Sequence, residues 1–172
     1  NISLDKLDAG LICFYLFNIV HLKKGEGIYQ DAGIPHAYLR GQNIELMACS
    51  DNVIRGGLTP KHVDIEQLLK IIDCSEIVPQ IIAPAPKNQV YTYPTPIADF
   101  ALSNMPYAKN TEISDRTLNG TILLVMAGEI SLEAAQQKLT LKQGQAAFIE
   151  AGTDYRVHGM QEGYAVLAGL PI

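Results

Sequence analysis

Two stretches of this 172-residue chain carry nearly the same phrase. LKKGEGIYQDAGIPH runs from Leu22 to His36, and LKQGQAAFIEAGTDY runs from Leu141 to Tyr155. Leu, Lys, Gly, an aromatic residue, Ala and Gly recur at the same offsets, 119 residues apart. A repeat at that distance predicts one copy in each of two domains. Each copy reads as a strand ending in Leu-Lys, a turn at Gly, a strand with an aromatic residue, and a second turn at Ala-Gly. The copies part at their last position, where His36 stands in one and Tyr155 in the other.

Between the copies, VDIEQLLKIID places Ile65, Leu68, Leu69 and Ile72 at helical spacing. Asp64 is positioned as its N-cap, with Gln67 three residues on. The next stretch, VPQIIAPAPKNQVYTYPTP, holds Pro79, Pro84, Pro86, Pro94 and Pro96 and reads as an extended connector. Beyond it come short strand patterns, TILLVMAGEISL, QKLTLKQGQAAFIEAG, YRVHG and YAVLAGL, separated by turns. The expectation is a mainly β chain of two jelly-roll units with the cadence of a cupin barrel. Residues 1–63 form an incomplete unit, 64–86 a helix and connector, and 87–172 a near-complete unit without metal. The apolar run LICFYLFNIV is expected as a buried strand. The absence of Met at Asn1, close before this run, reads as a piece cut from a longer protein.

Composition narrows the partners. The formal net charge is −5, and no run of Lys and Arg suits nucleic acid or an anionic membrane. No apolar run approaches the length of a membrane span. Cys13, Cys49 and Cys74 lack metal-ligand spacing and cannot all pair, which suits reduced thiols in the cytoplasm.

The chemistry concentrates in AGIPHAYLRGQNIELMACSDNVIRGGLTPK, from Ala32 to Lys61. RGQN reads as the loop of a hairpin in which Leu39 pairs with Ile44. That register sets Tyr38 opposite Glu45 and His36 opposite Met47, all on one face. An imidazole, a phenol and a carboxylate within reach of one another suit metal ligation and proton transfer. A carboxylate inside IELMA needs a partner, and an ion pair with Arg55 is the plain structural alternative. Lys61 reads as a solvated charge. His21, His62 and His158 have no ligand-like company.

PHAYL, a Glu nine residues after the His, and SDNVIRGGLTPKHVD resemble the C-terminal half of class I mannose-6-phosphate isomerases, which are zinc cupins. The resemblance is densest from Gly33 to Asp64 and extends more loosely through YPTPIADFALSN to the end. It implies His36 as the last of four zinc ligands and Glu45 as an active-site carboxylate. It implies Arg55 over the active site, Lys61 as a cationic neighbour, and Tyr38 lining the pocket. The implied substrate is a hexose 6-phosphate, with mannose 6-phosphate and fructose 6-phosphate interconverted through an enediol. The remaining ligands of that family, a Gln-x-His pair and a Glu, would come from a missing N-terminal half, and no Gln-x-His occurs here. With one ligand of four, the chain alone is expected to be inactive. The alternative is a non-catalytic cupin module for sugar binding or assembly.

Overall fold

The computed structural model describes residues 7–50, 52–84, 86 and 89–171. Asn1 and Asp51, both used in the reading above, lie outside them. The chain divides into two compact units, one of residues 1–23, 28–45 and 49–81, the other of 24–27, 46–48 and 82–172.

In the second unit, two long strands form the frame. The elements in chain order are α1 (Cys13–Leu16), β1 (Gly27–Ile28), α2 (Ile65–Ile71), β2 (Ile81–Ile82), β3 (Tyr91–Thr92), β4 (Ala101–Tyr107) and β5 (Glu112–Arg116), then β6 (Thr121–Ala134), β7 (Gln137–Lys142), β8 (Ala146–Ile149) and β9 (Asp154–Gly169). Strands β6 and β9 pair antiparallel from Ile122↔Ala168 to Ala134↔Tyr155, with register shifts between Val125 and Ile130. Each also serves two further strands. β9 pairs with β5 through its first residues and with β4 through its last, while β6 pairs with β8 and then with β7. A strand that bends at a bulge and changes partner is how a sheet rolls up into a jelly roll.

Alternation along these strands fills the core. Met105, Leu123, Val125, Ile130 and Val157 are wholly enclosed, and Tyr107, Leu132, Leu141, Ile149, Tyr155, Ala165 and Leu167 pack with them. Full burial of such a side chain contributes about 1.5–3 kcal/mol. The Tyr107 hydroxyl donates to Ala127 O at 2.6 Å, and burial pushes its pKa up to about 12.

Sequence patterning needs two corrections, one at each end of the chain. YRVHG and YAVLAGL are not separate strands but the two ends of β9. Strand β4 spans ALSNMPY and carries Pro106, a residue that central strands disfavour. It fits because β3 reaches only Asn104 and Ser103, so the missing N–H of Pro106 faces no ladder partner. LICFYLFNIV is not a buried strand: a 3₁₀ turn spans Ala9–Ile12 and α1 follows, with Asp8 capping Gly10 N at 2.7 Å. A continuous apolar run satisfies either period, and here the cap at Asp8 decided.

The expected helix is present as α2, with Asp64 Oδ1 accepting from Gln67 N at 3.0 Å. The two copies of the phrase share their turns. Gly25 and Gly144 have φ of 86° and 82°, and Gly33 and Gly152 have φ of 80° and 72°. Only glycine adopts this region without strain, so the offsets of the repeat are backbone requirements. Its second turn is held in each copy: Gly33 O accepts from Asp73 N at 2.9 Å, and Gly152 N donates to Thr117 O at 2.7 Å.

The first unit has no core of its own kind. Gly10 is its one buried residue among those described, while Tyr15, Leu16 and Ile19 are 88%, 73% and 75% exposed. Stability therefore resides in the second unit. Leu123→Ala and Met105→Ala should each cost about 2–5 kcal/mol, whereas Leu69→Ala on the exposed side of α2 should stay within about 0.5 kcal/mol. Urea denaturation followed by far-ultraviolet circular dichroism measures both. A Leu69 cost as large as the Leu123 cost would overturn this distribution.

Candidate functional site

The turn after PHAYL positions the site. Gly41 has φ of 117°, and the chain reverses there so that Tyr38 meets Glu45. No strand forms between His36 and Ala48, contrary to the hairpin expected there. Glu45 is also exposed rather than set in a buried face. The expected shared sheet face therefore does not exist, but the three side chains still lie next to one another. Tyr38 OH donates to Glu45 Oε1 at 2.9 Å, and the His36 and Tyr38 rings meet edge-on with centroids 6.0 Å apart. His36, Tyr38 and Glu45 thus form one contiguous trio, held by side-chain contacts instead of a ladder.

His36 is oriented from behind. Its Nδ1 lies 3.0 Å from Ile34 O, so the tautomer carrying the proton on Nδ1 donates there and leaves the Nε2 lone pair free. The structural alternative, an ion pair between Glu45 and Arg55, is not formed, and Tyr38 is the hydrogen-bond partner of Glu45. Arg55 and Lys61 are exposed. The Lys61 contact is made by its backbone, whose N–H donates to Thr59 Oγ1 at 3.2 Å. Among the described residues, no hydrogen bond or ion pair joins either cation to the trio.

The donor set bears on metal. Among the described residues, no three of His, Cys, Asp and Glu converge. His36 fits one corner of a zinc site, but a zinc site needs about three or four protein ligands. The donors around His36 among the described residues fall short of that number. The corresponding place in the second copy differs in kind: Tyr155 is 6% exposed, packed in the core, and its pKa is pushed up to about 12 by burial and then by the charge of Asp115.

Sequence reasoning missed a second polar cluster, in the second unit. Glu112, Ser131, Glu133, Lys138, Arg156 and His158 line a cavity of about 260 Å³. They come from four strands, and only their pairing register brings them together. His158, without ligand-like company in the sequence, gains these neighbours only through that pairing.

No family model matches the chain. It is similar to the mannose-6-phosphate isomerase of Escherichia coli, 38% identical over 147 residues, covering 84% of this chain and 37% of the relative. The mannose-6-phosphate isomerase 2 of Arabidopsis thaliana is 34% identical over 155 residues, covering 88% and 35%. A crystal structure of a lysine-to-alanine mutant of phosphomannose isomerase from Salmonella typhimurium superposes with a TM-score of 0.81 at 34% identity, over 96% of this chain and 43% of that one. The chain thus spans little more than a third of the length of the relatives it matches.

The phenol of Tyr38 offers a direct check on the trio. Partial burial, then the hydrogen bond and charge of Glu45, push its pKa from 10 up to about 12. A raised phenol favours the fold while protonated, so this contribution is complete below pH 10 and fades as pH climbs toward 12. Glu45→Gln should bring the Tyr38 midpoint only part of the way back, because burial is the largest cause. Ring-resonance NMR against pH reads that midpoint. An unchanged value in the variant would dissolve the pairing.

Proposed function

Homologous over most of its length to the C-terminal portion of mannose-6-phosphate isomerases, the chain is, we propose, the corresponding part of an enzyme that interconverts mannose 6-phosphate and fructose 6-phosphate. The observation that carries this reading is the Tyr38–Glu45 pair beside His36, set in the stretch that resembles the isomerases most closely. The sugar phosphate, the enzyme's missing N-terminal portion and zinc are the partners it requires.

The reaction moves a proton between adjacent carbons of an open-chain sugar, through an enediol. Glu45 is a carboxylate reachable from solvent and oriented by the Tyr38 hydroxyl, which suits taking a proton from one carbon or passing it on. Tyr38 keeps its own proton up to about pH 12 and so acts as a donor throughout the neutral range. Arg55 and Lys61 project into solvent, without side-chain hydrogen bonds or ion pairs among the described residues, and would meet the dianionic phosphate or the enediolate. His36 offers Nε2 as a ligand once the remaining ligands arrive from outside this chain.

The first unit supports that dependence. Its apolar side chains Tyr15, Leu16 and Ile19 are left to solvent, and exposed patches of this kind mark surfaces made to be covered. A further stretch of polypeptide, bringing the other ligands and the rest of the barrel, would cover them. Cys13, Cys49 and Cys74 are free thiols, in keeping with a reducing cytoplasm. No helix among the described residues is long and apolar enough to cross a membrane.

The isolated chain should hold far less than one zinc per molecule and show no turnover of mannose 6-phosphate, while addition of the N-terminal portion should restore both. In that complemented protein, His36→Ala should remove metal and activity together. Arg55→Ala should remove activity and spare the metal, because a cation is no zinc ligand. Metal analysis beside a coupled isomerase assay reads all four outcomes. Stoichiometric zinc with turnover in the isolated chain would overturn the assignment of missing ligands.

A further inference from the structure

The polar cavity of the second unit is built by register. Glu112, His158 and Ser131 stand directly opposite one another across β5, β9 and β6. Arg156, Glu133 and Lys138 form the adjoining row across β9, β6 and β7. Ile130, Leu132 and Val157 point into the core, so these residues line the opposite face of the sheet. Two ion pairs brace the wall, Arg156 Nε to Glu112 Oε1 at 3.2 Å and Lys138 Nζ to Glu133 Oε1 at 2.6 Å.

At the floor of the cavity lies an incomplete contact. Ser131 is 6% exposed, and its hydroxyl is buried without a hydrogen-bond partner. A buried hydroxyl left unpaired is costly, and buried polar groups are almost always satisfied. The side chain of His158, its cross-strand neighbour, likewise makes no hydrogen bond among the described residues.

We propose that this cavity is a binding site for an uncharged, polyhydroxylated molecule the size of one sugar ring, with one ligand hydroxyl completing Ser131. The chemistry of the wall selects that class. Two carboxylates balance Arg156 and Lys138, so a phosphate or another anion gains little net attraction. A divalent cation lacks a group of three ligands among the described residues. None of the six lining residues is of an apolar type, so a hydrophobic ligand would have to cover charged and polar groups as well as their aliphatic stems. A hydroxyl both donates and accepts, and the wall alternates carboxylate acceptors with guanidinium and ammonium donors at cross-strand spacing. The site is independent of the isomerase reading and uses none of its residues.

The test is amide NMR of the full chain titrated with D-glucose and D-mannose, with inorganic phosphate as the anionic control. Saturable shifts confined to β5, β6, β7 and β9 around the six residues are expected from a sugar, with Kd on the order of 1 mM. Ser131→Ala and Glu133→Gln should each weaken binding about tenfold, the loss of one hydrogen bond. Ser131→Ala should also leave the melting temperature unchanged or higher, since it removes an unpaired hydroxyl. Shifts that grow linearly without saturating would mean that the cavity holds only water, and the proposal fails. It fails equally if phosphate reproduces the sugar's shifts, or if both variants bind as the parent chain does.

Discussion

The antiparallel pairing of β6 with β9 is the constraint on which the rest of the second unit depends. These are its two longest strands, and β4, β5, β7 and β8 each reach the sheet only through one of them. The register shifts between Val125 and Ile130 bend the pair midway, so one half of each strand serves one set of neighbours and the other half another. The core residues are the inward positions of those halves. A slip of one residue would turn Val125, Ile130 and Val157 outward and bring charged side chains in, which explains why one register holds.

The same pairing creates the polar cavity. Outward positions on β5, β9, β6 and β7 are polar because that face meets solvent, and register then decides which of them are neighbours. Glu133 shows the local consequence: its hydrogen bond to Lys138, followed by the charge of that lysine, holds its carboxyl below the usual range. Ion pairs at this exposure are worth little for stability individually. Their effect is positional, keeping donors and acceptors in fixed places around the buried Ser131.

In the first unit, individual polar contacts do what the sheet does elsewhere. Asp8 caps one turn and accepts from Leu58 N at 2.9 Å, Asp64 caps α2, and Asp73 N holds Gly33 O. These are single polar restraints, two local caps and two that tie distant parts of the chain, on a backbone with almost no enclosed apolar side chains among the described residues. The Tyr38–Glu45 hydrogen bond belongs to the same economy of contacts, closing the loop at Gly41 without a ladder. Such an arrangement places side chains, but leaves apolar ones such as Tyr15 and Leu16 in water.

Several features were legible in the chain alone because they rest on local backbone chemistry. The glycines at 25, 33, 144 and 152 recur because positive φ excludes other residues cheaply, and α2 follows from its Asp64 cap and helical spacing. The nearness of His36, Tyr38 and Glu45 followed from a short loop between them. Periodicity alone could not tell whether LICFYLFNIV would be helix or strand, because an unbroken apolar run fits both. Nor could it show that β9 is one strand, or that Pro106 sits where β3 has already ended. The cluster around Ser131 was the least accessible: its members lie on four strands far apart in sequence, and no local pattern marks them as neighbours. Backbone conformation and short-range spacing were determined by the sequence itself, whereas long-range register, and every site that depends on it, was decided only when the strands paired.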